Sequence, residues 1–425
     1  MLWNAFDHVN LARALLSHGH YDGALTACSI GLRRTPESAE LHVLLARAYD
    51  GLGHPNEALA ACERALELEH DGPSALAARL RQALIFFDAG DVAQAFAMAE
   101  RAWNLAPGNV NVHTLIGNLL AWNGDLSGAL SHVECNWLNE LTSCLKRFGG
   151  RAPWGGGDLT GTRMLVVHQQ GFGDMLQMAR YLPALRQRAE RVIVECLRPI
   201  AGIMRRMPGV DEVVEHKAAD PASYDAYVRL MSLPRILGID AGIAPPYLVP
   251  ERERSAYWKA QLSGYGGYRV GLTWGGNPAN VFDFARSLSP KRLAPLGGIP
   301  NVRYFSLMME PDVDVGFDIV RIGESFRDFD DAAAAIAQLD LVISVDTAYA
   351  HLAGALGVPV WTMLQHRPDW RWAGNGENTS WYPSMRLFRE RDRAWSTVID
   401  RVVPALSCAG SRRMHDEART TDFES

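Results

Sequence analysis

The chain has 425 residues, 48% hydrophobic and 21% charged, with a net charge of −6. That length supports two or three domains with substantial cores. The mild acidity gives no sign of a nucleic-acid binder, and no apolar run reaches bilayer length. Six cysteines are scattered without a CxxC pair, so neither a zinc site nor a disulfide framework is indicated. Cys28 and Cys62 fall at repeat spacing within helical patterns, where cysteine acts as a small hydrophobe. The opening residues MLWNAFDHVN lack a basic region ahead of an apolar core. They do not read as a signal peptide, and a reduced, cytoplasmic protein is expected.

Residues 1–147 carry an internal repeat. GHYDGAL at 19–25 returns as GHPNEAL at 53–59, a period of 34; GDVAQA (90–95) and GDLSGA (124–129) follow after 37 and 34 residues. Pro36, Pro73 and Pro107 keep step. Each glycine is expected to end a first helix, the alanine five residues later to admit a close-packed second helix, and proline to block its continuation. The pattern resembles the tetratricopeptide repeat, two antiparallel helices per unit. Four units make an α-solenoid whose groove is expected to dock a protein or peptide; a dimerisation or spacer element is the plainer reading.

FGGRAPWGGGDLTGT at 148–162 breaks helical periodicity and reads as a linker. A strand at 163–167 then leads into the loop HQQGFGD (168–174), a helix at 175–188, a strand at 191–196, a helix at 199–207 and strands near 212–215 and 226–228. Such alternation predicts a parallel, doubly wound domain over 163–250. Residues 245–268 are rich in proline, glycine and charge and mark a boundary, with one helical segment near 255–262. A second series covers 268–407. It opens with the strand 269–274, the loop Gly275-Gly276-Asn277-Pro278 and Arg286-Ser287, and continues with strands at 302–307 and 318–322 and a helix at 330–338. Residues 408–425 are polar and aperiodic and are expected to form a disordered tail.

The stretch LDLVISVDTAYAHLAGALGVPVW (339–361) reads as a complete βαβ unit. Residues 341–345 form a β-branched strand ending at Asp346-Thr347; Ala348, Leu352, Ala353 and Leu356 recur at helical spacing, and Gly357 suits a C′ position. Ligands of parallel sheets bind beyond the carboxyl ends of the strands, where helix N-termini offer N–H groups. An acid, a hydroxyl and, one turn on, His351 would suit a nucleotide diphosphate there. The plainer reading is that Asp346 or Thr347 caps the helix and His351 packs on the sheet.

Six motifs, QGFGDMLQMARYLP, VGLTWGGNP, RS (286–287), the 339–361 stretch, PDWRW (368–372) and WYPSMRLFR (381–389), appear in order. Through them residues 163–405 resemble GT-B glycosyltransferases related to the bacterial heptosyltransferases, and the whole chain resembles bacterial proteins that join tetratricopeptide repeats to such a module. Flagellin-modifying glycosyltransferases share this layout, which makes flagellin a candidate acceptor.

The resemblance implies roles. Asp174, on the glycine loop of Gly171 and Gly173, is the candidate base, with His168 a second choice; a plain helix cap is the alternative for Asp174. Relatives begin this loop with Glu-Gln-Gly, whereas here it is Gln169-Gln170-Gly171. Asp346, Thr347 and His351 map onto a donor-binding motif. Gly275, Gly276 and Asn277 form a second phosphate-side loop, and Arg286 is expected to offset leaving-group charge. Relatives place Leu-Gln where this chain has Leu307-Met308, so Glu310 is offered for the ribose instead. Residues 369–372 are expected to shape the cleft rim. Asp312-Val313-Asp314 matches a DxD pattern but follows a peripheral strand, and no metal is expected. The combined expectation is an inverting glycosyltransferase using a nucleotide sugar as co-substrate, with no other cofactor and an acceptor protein docked on the repeats. The alternative is a catalytically inactive GT-B/repeat scaffold, motivated by Gln169 and Met308.

Overall fold

The computed structural model describes residues 5–135, 146–169, 171–277, 283–309 and 313–422. The chain divides into two compact units, residues 1–150 with 369–374, and residues 151–368 with 375–425. Residues 369–372, expected at a cleft rim, thus group with the helical unit. No described helix is long and apolar enough to cross a membrane.

The first unit is built of helix pairs: α1 Ala5–Ser17 with α2 Tyr21–Arg34, α3 Ala39–Gly51 with α4 Pro55–Leu68, α5 Pro73–Asp88 with α6 Val92–Leu105, and α7 Val110–Trp122 with α8 Leu126–Cys135. The glycines that close the first helix of each pair, Gly19, Gly53, Gly90 and Gly124, all have φ between +72° and +88°. A side chain is strained in that region, so the repeat keeps glycine there. Ala24, Ala58, Ala95 and Ala129 are wholly buried, as close packing of the second helices requires. The 37-residue interval is accommodated inside a helix: α5 has 16 residues, where α3 and α7 have 13. Odd-numbered helices also touch along the stack (α1–α3, α3–α5, α5–α7), forming a continuous layer. Cys28 and Cys62 are buried in this unit, and burial pushes both thiols up to about 12, as expected of structural cysteines.

The second unit holds two parallel sheets. The first has β1 Arg163–Val167, β2 Arg191–Cys196, β3 Glu212–Glu215 and β4 Ala226–Arg229 in the order β3-β2-β1-β4. The second has β5 Tyr268–Thr273, β6 Val302–Ser306, β7 Val320–Arg321, β8 Leu341–Val345, β9 Val360–Leu364 and β10 Met385–Arg389 in the order β10-β9-β8-β5-β6-β7. Every pairing is parallel. The near-continuous Val, Ile and Leu of β1, β2 and β8 suit strands covered on both faces. Each sheet winds outward and then jumps back, so the topology switches between β1 and β4 and again between β5 and β8. Ligand crevices of doubly wound sheets open at such switch points. The N-terminal repeats followed by two Rossmann-like lobes are the architecture expected from sequence.

The helices of this unit are, in chain order, α9 Phe172–Met178, α10 Leu182–Arg186, α11 Arg198–Arg205, α12 Leu233–Leu237 and α13 Arg252–Leu262. They continue with α14 Asp283–Arg286, α15 Phe329–Ile336, α16 Ala348–Leu356 and α17 Ser396–Asp422. The lobes meet directly. Helix α9, after the glycine loop, packs against α16, and α11 packs against α15. Arg206 pairs with Asp330 across this junction. The helical segment expected near 255–262 is α13, which packs on α15 and buries Trp258. One expectation needs correction. The tail expected to be disordered from 408 continues α17. Its Ala, Arg, Met and Glu content favours helix even without an apolar stripe. Residues 423–425 lie outside the described residues.

Candidate functional site

The β5–β8 switch point gathers most of the expected donor-side residues. Strand β5 ends at Thr273 and β8 at Val345, neighbours in the sheet with Thr273 opposite Ser344. Thr273 and Ser344 share a buried hydroxyl hydrogen bond, and the Ser344 hydroxyl lies 3.0 Å from that of Thr347. Thr347 is the N-cap of α16 by backbone geometry, yet its side chain does not cap. Its hydroxyl turns back to Ser344, leaving the first-turn amides of α16 without that partner.

Arg286 is not a solvated surface arginine. Its Nε donates to Asp283 Oδ1 at 2.9 Å and its Nη1 to the Asp346 carbonyl at 3.1 Å. Asp283 Oδ2 accepts from Ser287 Oγ at 2.8 Å, and that hydroxyl accepts the Gly276 N–H at 3.1 Å. One guanidinium therefore ties the glycine loop after β5 to the turn after β8. Gly276 must lack a side chain, because a Cβ there would overlap Arg286 Nη2 and Asp283 Oδ1. Gly275 lies beside Ser287 and Met308; Met308 is buried among core residues. Asn277 closes the described part of the loop. Glu310, Gln170, Pro278 and Asp312 lie outside the described residues.

His351 is buried, 4% exposed, at the lobe junction. Its Nδ1 lies 3.0 Å from the Tyr382 hydroxyl and its Nε2 3.9 Å from Asp346 Oδ1. On the opposite lobe, Gly173 faces it: a Cβ there would stand 2.8 Å from His351 Cδ2 and 3.6 Å from Ala348 Cα. The glycine loop thus abuts the first turn of α16. Within that loop Asp174 Oδ2 accepts the Gly171 N–H at 3.0 Å: Gly171 is the N-cap of α9 and Asp174, three residues on, bonds back to it rather than being the N-cap itself. The structure accordingly joins Gly171, Gly173 and Asp174 to Asp346, Thr347, His351, Arg286 and Gly276 through one chain of contacts.

His168 stands apart from that chain. It follows β1, but its ring meets the His216 ring at 5.2 Å, and His216 Nδ1 lies 2.9 Å from the buried Glu195. Burial and then His216 hold His168 below the usual imidazole range.

The sequence reading missed Asp283, Ser287, Arg180, Tyr382 and the Arg206–Asp330 pair. Arg180, Ser287 and Tyr382 lie inside motifs quoted above but were given no role, and Asp283 carried a local signal as an acid three residues before Arg286 in FDFARS.

Comparison with known proteins follows the same division. Residues 15–84 match the tetratricopeptide repeat family, and residues 327–382 match glycosyltransferase family 9 (heptosyltransferase). Protein FlbA of Caulobacter vibrioides is 27% identical over 442 residues, spanning 93% of this chain and 72% of FlbA. Among solved structures, ADP-heptose LPS heptosyltransferase II of E. coli aligns over 58% of this chain and 99% of its own, at 16% identity and a TM-score of 0.41. The glycosyl transferase family 9 protein of Veillonella parvula aligns over 62% and 98%, at 15% identity and a TM-score of 0.40. A thermophilic TPR protein of Thermus thermophilus aligns over 34% and 80%, at 19% identity and a TM-score of 0.30.

Proposed function

From a chain that joins tetratricopeptide repeats to a heptosyltransferase-like family 9 glycosyltransferase domain, we infer an inverting transferase that moves a sugar from a nucleotide sugar to a protein held by the repeats. The observation that carries this reading is the Arg286 bridge between the Gly276 loop and the Asp346 carbonyl at the switch point. It sets a cation and the first-turn amides of α16 where a diphosphate would rest.

In this reaction the acceptor oxygen attacks the anomeric carbon from the face opposite the leaving group. The bond from that carbon to the phosphate oxygen breaks, and the electron pair leaves with the nucleotide. Arg286 and the α16 amides offset that developing charge, fixed beforehand by the Asp283–Ser287–Gly276 network. Asp174, on the facing loop, takes the acceptor proton; the Gly171 amide orients its carboxylate. Gly275, Gly276 and Asn277 follow the phosphates with their backbone, and Asp346, Thr347 and His351 hold the diphosphate or ribose. The layout shared with flagellin-modifying enzymes makes flagellin the first acceptor to try, and a cytoplasmic setting would give access to nucleotide sugars.

One observation favours the scaffold reading: Met308, where relatives carry glutamine, is buried in the core and offers no hydrogen bond to a base. The deciding experiment incubates the protein with UDP-, ADP-, GDP- and CMP-sugars and candidate acceptor proteins and weighs the acceptor. A mass shift abolished by Asp174→Ala supports transfer. Nucleotide binding with no shift for any acceptor supports the scaffold.

A further inference from the structure

We propose that a cavity of about 590 Å³ between α13 and the turn leading into α15 is a binding site for a neutral saccharide, separate from the β5–β8 switch point. The proposal does not rest on the donor site inferred above. Its volume falls within the range of about 300–1,000 Å³ usual for small-molecule sites.

The wall combines an exposed aromatic platform with a buried donor that lacks an acceptor. Among the described residues, the large hydrophobic side chains that stand exposed are Val249, Tyr257 and Met309, and Tyr257, 53% exposed, lines this cavity. Its ring is T-shaped to that of Trp258 at 5.5 Å. Trp258 belongs to the same wall and is 3% exposed, and its indole N–H has no hydrogen-bond partner among the described residues. Trp258 in turn meets Phe326 at 5.4 Å, and Phe326 meets Tyr349, in the first turn of α16, at 6.5 Å. The cavity therefore lies on the lobe that carries the switch point, two ring contacts away from α16.

Charge selects the ligand class. Arg254 Nε donates to Glu251 Oε2 at 2.7 Å and its Nη2 to Asp328 Oδ2 at 3.1 Å. Arg327 grips Asp331 with two bonds, Nε to Oδ2 at 2.7 Å and Nη2 to Oδ1 at 2.8 Å. Both cations are offset from within, and Glu253 adds a further carboxylate to the wall. A phosphate would meet no spare positive charge there, so a nucleoside diphosphate does not belong in this cavity. A cationic ligand would have to sit beside two guanidinium groups. The wall instead suits a neutral molecule whose groups both donate and accept, because guanidinium N–H groups stand next to carboxylate oxygens and the Ser325 hydroxyl can do either. A sugar ring presents such hydroxyls around its rim, and its apolar C–H face can cover the Tyr257 ring.

The test uses the full chain with 15N-labelled tryptophan, and the indole N–H of Trp258 is assigned by its disappearance in Trp258→Phe. The probes are maltose, cellobiose and N,N′-diacetylchitobiose, together with a short neutral glycopeptide bearing the last of these. The expected result is a saturable shift of the Trp258 indole with at least one probe in the millimolar range. Tyr257→Ala, at an exposed position, is expected to weaken that binding about tenfold, with an unchanged melting temperature as the control for folding. A shift with the free disaccharide supports a soluble sugar as ligand, and a shift with the glycopeptide alone supports a protein-borne one. No shift with any probe, a larger shift with heptalysine or with ADP, or Tyr257→Ala binding as tightly as wild type overturns the proposal.

Discussion

His351 presses against Gly173: its Cδ2 lies 2.8 Å from the position a Cβ on residue 173 would occupy, closer than real Cβ contacts run. Alanine normally favours helix over glycine by about 1 kcal/mol. Here the clash prevails, because Tyr382 clamps the imidazole and burial denies it room. Gly173→Ala should destabilise the protein by about 1–3 kcal/mol, an overpacking cost. Gly171→Ala, at an exposed position whose Cβ would meet only Asp174 Oδ2 at 3.4 Å, should be mild. Thermal melts of the two variants make the comparison; equal melting temperatures would contradict it.

The Arg286 bridge should be intolerant of substitution. Lysine keeps the charge but cannot reach Asp283 and the Asp346 carbonyl together. Transfer by Arg286→Lys should fall by about 10²–10³-fold, the usual effect of removing one charge-stabilising donor. Gly276→Ala should produce a similar loss by displacing the same guanidinium. Initial rates on the donor identified by mass shift provide the measurement.

Low pH should loosen the last helix pair. His113 Nε2 lies 2.9 Å from the Pro107 carbonyl, so it carries the proton, and Nδ1 accepts from His132 Nδ1–H at 3.1 Å. Burial, and then His113, hold His132 below the usual imidazole range. The folded state therefore prefers neutral His132 more than the unfolded chain does. The stability this provides is complete above the unfolded value of about 6.5 and is lost as pH falls through the lower folded value. Melting temperatures between pH 7.5 and 5 should fall with a slope that His132→Gln reduces. An unchanged slope would count against the pairing.

The lobe junction has its own ion pair. Asp330 is nearly buried and Arg206 about two-thirds so, and Gly202 leaves the space Asp330 occupies. Asp330→Ala should cost about 1–3 kcal/mol by stranding the guanidinium, and limited proteolysis should cut faster between the lobes. A protease pattern identical to wild type would argue that α9 and α16 alone hold them together.

Much of this architecture was legible because it rests on local rules. Glycines needing positive φ and alanines needing close approach recur at the repeat interval, and β8 with its turn and α16 reads directly from 341–357. The site was legible only where chemistry follows a strand end, as at Asp346 and Gly276. Asp283 and Arg286 converge on Asp346 through a contact 60 residues long in sequence. The Arg180 contact with Trp381 spans 201 residues. No periodicity marks either. The helix at 408–422 escaped because a polar segment without an apolar stripe resembles disorder until its backbone is traced. Strand β10 was seen only as the motif WYPSMRLFR, without its pairing to β9.

Whether the β5–β8 switch point holds the donor is decided by amide hydrogen exchange with and without the preferred nucleotide sugar. Protection is expected at residues 273–277, 283–288 and 345–351 alone. Protection instead around the separate cavity lined by Glu251, Arg254, Tyr257 and Arg327, with none at the switch point, would contradict it.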